Sequence, residues 1–107
     1  MIFDARSIDV ILSGTRTWQI RTDKVSFKGE LEIVQGCSDL IMGQVEVIGC
    51  VGPLTPKLIE ENFEKFNFTS TEASYLSKKA EKENLFAMIL QSPKRYLSPI
   101  PALKLRA

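Results

Sequence analysis

Hydrophobic positions along the chain change period several times, and each change marks an element. Ile8, Ile11 and Leu12 recur at helical spacing. They predict a short helix over Ala5 to Ser13, with Asp4 or Ser7 at its start and Gly14 as its stop. From Thr17 to Arg21 the period drops to two. Trp18 and Ile20 face one way, and Thr17, Gln19 and Arg21 the other, as in a half-buried strand. A polar loop over residues 22–29 leads to a second alternating run, Glu30 to Gln35. A turn region from Gly36 to Leu40 then precedes a longer strand, Gly43 to Val51. Gly49 within it predicts a bend or bulge.

Gly52-Pro53 breaks that strand. Thr55 followed by Pro56 has the form of a capped helix start. Leu58, Ile59, Phe63 and Phe66 predict one helix running to about Phe66. Thr69 with Glu72 three residues later is a capping box, and it opens a further helix that carries Ala73, Leu76 and Ala80. Leu85 to Leu90 is continuously apolar and too short for a helix. It reads as a central strand covered on both faces. Pro93, Pro99 and Pro101 punctuate the remainder, with KRYL as a short edge strand and ALKLRA as a last one. Five or six short strands with three helices, two of them late in the chain, predict an α+β domain: a small, partly closed mixed barrel with helices packed at its openings.

At 107 residues the chain reads as a single domain, residues 1–107, with one core. A formal charge of +1 supplies no general basic field, so any nucleic-acid contact needs a local patch. The chain has no histidine. That removes Ser-His-Asp and Cys-His chemistry, histidine general bases and the commonest zinc ligand. Cys37 and Cys50 are the only cysteines. They lack CxxC spacing and read as free thiols of a reducing compartment. No metal and no cofactor are expected. Asp4, Arg6 and Asp9 stand where a signal peptide would be apolar. The longest apolar run, LFAMIL, is far short of a membrane span. The expectation is a cytoplasmic protein.

The stretch GTRTWQIR carries the chemistry. Like-parity neighbours on a strand stand about 6.6 Å apart, so Thr17, Gln19 and Arg21 form a polar ladder. Threonine both donates and accepts, glutamine matches a base edge, and arginine is a rigid donor fork. Arg16 sits in the preceding turn, and Gly14 lets a ligand approach the backbone. Elsewhere the ordinary readings prevail. Trp18 is assigned to the core. Glu60, Glu61 and Glu64 form a solvated helix face suited to the helix dipole. Lys78, Lys79 and Lys82 form another solvated face. Cys37 has no neighbour in sequence that would activate it.

ILSGTRTWQIR resembles the signature of ASCH domains, a branch of the PUA-like superfamily, through Ile11, Leu12, Gly14, Arg16, Thr17 and Arg21. LIMGQVEVIGC and FAMILQSPKRYLSPIP are similar to two further blocks of that family, in the same order. The resemblance implies a PUA-like barrel that binds RNA or a nucleotide in a cleft lined by Gly14, Arg16, Thr17, Gln19 and Arg21. One bacterial branch hydrolyses N4-acetylcytidine with a lysine, a threonine and a glutamate. Here Arg16 and Gln19 occupy the lysine and threonine positions, and Glu64 is the loose counterpart of the glutamate. Arginine keeps its proton at neutral pH, and glutamine is no nucleophile. The expectation is therefore a non-enzymatic binding domain. The alternatives are an amidohydrolase using Thr17 and Glu64, and a protein-interaction module using the glutamate-rich helix and the Pro-x-Pro segment.

Overall fold

The computed structural model describes residues 1–101; the strand expected over ALKLRA lies outside them. The described chain runs β1 (Ile2–Phe3), α1 (Ala5–Leu12), β2 (Trp18–Arg21), β3 (Gly29–Gln35), β4 (Leu40–Val51), α2 (Pro56–Glu61), α3 (Phe63–Phe66), α4 (Ser70–Lys82) and β5 (Phe86–Pro101). The strands form one sheet in the order β1-β3-β4-β5-β2. All neighbours are antiparallel except β1 and β3.

The fold is thus α+β, as the patterning predicts. Closure into a barrel is not seen. Among the described residues no ladder joins β1 to β2, so the sheet has two ends. Both end strands are short, two and four residues, which limits the open backbone they present.

Two apolar clusters lie against the sheet. Ile8, Ile11 and Leu12 from α1 pack with Phe3, Ile33, Val45, Val47, Met88 and Leu90. Leu54, Ile59, Phe66, Leu85 and Ala87 form the other cluster, joined by Trp18, Ile20, Leu76 and Ala80. Ala87 and Met88 are consecutive, both fully buried, and belong to different clusters. Successive strand residues face opposite ways, so this part of β5 is covered on both faces, as the apolar run predicts.

The capping residues behave as the sequence implies. Asp4 accepts the Ser7 N–H at 2.7 Å and starts α1. Thr55 accepts from Leu58 N with Pro56 in the first turn. Thr69 and Glu72 complete the capping box. The register also shifts between Val47 and Gly49, where a bulge was expected.

Three elements differ from expectation. The helix expected from Pro56 to Phe66 is two helices. Asn62 breaks it: its side-chain N–H₂ donates to the Leu58 carbonyl at 2.9 Å, while its own carboxamide oxygen accepts from Lys65 Nζ. Asparagine side chains compete in this way with regular helix geometry. The apolar run and KRYL belong to one strand of sixteen residues. It tolerates Pro93 and Pro99 because only β4 flanks its outer half, and because four residues, Tyr96 to Pro99, stand opposite Met42 alone. The two-residue β1 was not expected. It exists by pairing with Val34 and Gln35, far away in sequence.

Candidate functional site

The site begins where α1 ends. Gly14 adopts a φ of +82°, open to glycine at little cost. Its N–H bonds the Ile11 carbonyl, and Arg16 N–H reaches back to the Val10 carbonyl at 2.9 Å. Thr15 Oγ1 donates to the same Val10 carbonyl. The chain thus folds over the last turn of α1 and enters β2 at a fixed angle. Thr17 completes the anchorage: its N–H donates to the Lys65 carbonyl at 2.8 Å, and its carbonyl accepts from Leu90 N–H at 2.7 Å.

This entry turns the Arg16 side chain inward. Arg16 is the one buried charged residue among those described, with 4% of its surface exposed. Nε donates to the Phe66 carbonyl at 2.6 Å. Nη1 donates to Ser7 Oγ and to Gln19 Oε1, each at 3.2 Å. The guanidinium lies over the Phe68 ring, 5.4 Å from its centroid, close enough for a cation–π contribution. Nη2 is buried and has no hydrogen-bond partner. Burial lowers the Arg16 pKa below the usual arginine value. Glu72 opposes that shift, Arg6 adds to it, and Asp4 opposes it. An arginine keeps its proton across the biological range even so.

The Phe66 carbonyl is available because α3 stops there. Asn67 takes a left-handed conformation, φ +50° and ψ +52°, and the last carbonyls of a helix lack intrahelical partners. Phe66 is itself fixed from beneath. Its ring stacks on Phe68 at 4.8 Å and meets Trp18 edge-on at 5.6 Å. Trp18 therefore serves the core, as the sequence suggests, with Lys65 Nζ 4.7 Å from its ring centroid.

A cavity of about 170 Å³ opens beside Arg16. Ile11, Val45 and Leu90 give it apolar lining, and Gly14, Arg16, Thr17 and residues 91–93 complete it. Ser92 also has a positive φ, +53°, uncommon for a residue with a side chain. A larger, shallower groove of about 450 Å³ runs between α2 and α4, away from Arg16.

The structure divides the residues singled out from sequence. Gly14, Arg16 and Thr17 meet at this cavity. Gln19 is not in its wall; its carbonyl oxygen is engaged by Arg16. Arg21 is paired with Phe86 two residues further along β2, with its Nε buried and unpartnered. Glu64 is exposed on α3 and does not line the cavity. Ser7, the Phe66 carbonyl, Phe68 and the 91–93 wall were not foreseen. A backbone carbonyl leaves no signature in residue type, and Phe68 reads from sequence as one more apolar residue.

Cys37 and Cys50 are free thiols. Among the described residues, no group of three or more Cys, Asp or Glu could hold a metal, and no helix is long and apolar enough to cross a membrane.

Known proteins supply a match at the level of fold. An ASCH protein from Zymomonas mobilis superposes with a TM-score of 0.76 over 98% of this chain and 75% of its own, at 14% identity. Its Ser-to-Ala variant gives 0.75 over 99% and 75%, and its Tyr-to-Phe variant 0.76 over 98% and 77%, each also at 14% identity. The fold is therefore ASCH-like. No protein-family profile matches the sequence, and no curated protein matches it.

Proposed function

We propose that this domain binds RNA or a nucleotide, taking one base into the cavity at the helix–glycine–strand junction, and that it does so without chemistry. One observation carries the reading. Arg16 is buried and fixed by three hydrogen bonds, yet its Nη2 has no partner. A buried donor left unsatisfied costs about 1–3 kcal/mol. Nη2 is closed to solvent in this structure, so an acceptor on a ligand, such as a base carbonyl, would recover that energy once the guanidinium turns toward the cavity. The rest of the lining suits the same ligand: apolar side chains at Ile11, Val45 and Leu90 for a flat ring, and Thr17, a residue type that can donate or accept.

Size narrows the choice. A volume of about 170 Å³ lies below the roughly 300 Å³ at which drug-sized pockets begin. It is close to the 150 Å³ or so of a cavity known to hold benzene. One six-membered ring fits, with sugar and phosphate outside. An extruded or single-stranded base is the form that can enter.

Hydrolysis has less support. Thr17 presents a hydroxyl, but the lining residues include no carboxylate, lysine or thiol to take its proton. The ASCH-like fold is compatible with either reading, since fold alone does not determine function.

The test is calorimetric titration with single nucleosides. Pyrimidines are expected to bind and purines to bind more weakly. Arg16→Lys, which keeps charge but loses the planar fork, is expected to weaken binding about tenfold or more, in line with a base contact of 1–3 kcal/mol. Equal affinity in that variant, or heat signals for no nucleoside at all, would overturn the reading.

A further inference from the structure

The exposed face of α4 offers a second feature. Tyr75, Lys78, Lys79 and Lys82 follow the i, i+3, i+4, i+7 spacing that puts residues on one helix face. They line an open groove of about 440 Å³, with Glu83 at its end. Tyr75 is 63% exposed, and Lys79 Nζ stands 5.9 Å from its ring centroid. Glu83 pairs with Lys79 at 3.5 Å. The groove thus holds three ammonium groups against one carboxylate, with an aromatic ring open to solvent, in a protein whose net charge is only +1.

We infer that this face is a track for the backbone of single-stranded RNA, with Tyr75 as a stacking platform. The choice of RNA over a free nucleotide rests on the reading of the cavity given above. Three arguments favour that partner. Cationic grooves with exposed aromatics are how single strands are held without sequence preference. A membrane surface is disfavoured, because the apolar face of α4 is already used: Leu76 and Ala80 pack on the second cluster, leaving nothing to insert. The track also begins beside the cavity's arginine. Glu72, one turn before Tyr75, pairs with Arg6 of α1 at 3.5 Å, and its charge acts on Arg16. From Glu72 to Lys82 the helix rises about 15 Å, room for a few nucleotides leading away from a base held in the cavity.

The probe is a labelled 12-nucleotide RNA of mixed sequence, followed by fluorescence anisotropy over a range of KCl concentrations. Each lysine that neutralises a phosphate contributes about 0.7 to the salt slope on a single strand. The triple variant Lys78→Gln, Lys79→Gln, Lys82→Gln is therefore expected to bind with a slope shallower by about two. The corresponding triple arginine variant is expected to keep the original slope. Tyr75→Ala is expected to weaken binding with the slope unchanged. An unchanged slope in the glutamine variant would overturn the inference. So would a polyglutamate of similar charge binding as tightly, with the same dependence on the lysines. Nucleoside titrations separate the two proposals. If nucleosides bind and the 12-mer gains nothing from the lysines, the track falls and the cavity stands. If the lysines govern the 12-mer while Arg16→Lys changes neither probe, the track stands and the cavity reading falls.

Discussion

Arg16 joins a structural role, seen in its contacts, to the recognition role proposed for it. Three of its contacts are made to the protein, and one nitrogen remains over. Removing the guanidinium strands a buried carbonyl of Phe66, so Arg16→Ala is expected to destabilise the fold by about 1–3 kcal/mol, read from urea denaturation. Asp4 makes a different case, a residue whose hydrogen bonds are local. Its carboxylate accepts from the Ser7 backbone N–H, and that bond, with the Ser7 hydroxyl, holds its pKa below the ordinary 3.8. The cap's contribution is therefore present above that value and drains away as pH falls through the lowered one. Asp4→Ala should cost about 1 kcal/mol at neutral pH, with the exposed setting favouring the low end. The difference from wild type should shrink in melts below about pH 4. Glu72 is also held low. Burial pushes its carboxyl up, but the bonds from Thr69 and the charges of Arg6 and Arg16 outweigh it.

At the scale of elements, the caps were legible because their chemistry is local. Thr55, and Thr69 with Glu72, each act within four residues of themselves. Thr69→Ala is expected to cost about 1 kcal/mol. Hydrogen exchange should quicken first in the opening turn of α4. What was not legible depends on partners distant in sequence. β1 has two residues and no period, and it is a strand only because Val34 and Gln35 lie beside it. The length of β5 was hidden by its prolines, which deter strand formation only where a second neighbour needs their missing N–H. The interruption at Asn62 could have been weighed from residue type, since asparagine is a poor helix former. The apolar stripe through Phe63 and Phe66 masked it. Alternation puts Gln19 and Arg21 on one face of β2, opposite Trp18 and Ile20, but parity does not say how far along a strand a hollow extends. Thr17 reaches the cavity, whereas Gln19 is occupied by Arg16 and Arg21 lies beyond it.

The whole molecule is organised by close contacts across β4 and β5. Gly43 shows how close. A β carbon there would run into the Lys94 carbonyl and press on the Leu12 side chain. Gly43→Ala is expected to lower the midpoint of urea denaturation and to disturb β5 where it passes the cavity wall at Pro93, visible as amide shift changes over residues 91–95. Phe66 is the other keystone. It is wholly buried, and Phe66→Ala should cost about 3–5 kcal/mol, measured by Trp18 emission during denaturation. Sequence patterning anticipated an α+β domain with three helices around a small, partly closed mixed barrel. It did not anticipate an open sheet, because closure is decided by which distant edges meet.

Phe66 contributes its ring to the hydrophobic interior and its carbonyl to the arginine beside the cavity. The peptide group that holds the Arg16 guanidinium is thus part of the packed interior. On its Arg16 side the hollow cannot slacken without disturbing that packing. Arg16 and the aromatic trio should therefore come loose together on heating, with Arg16 Nε–H exchange quickening at the temperature where Trp18 emission changes.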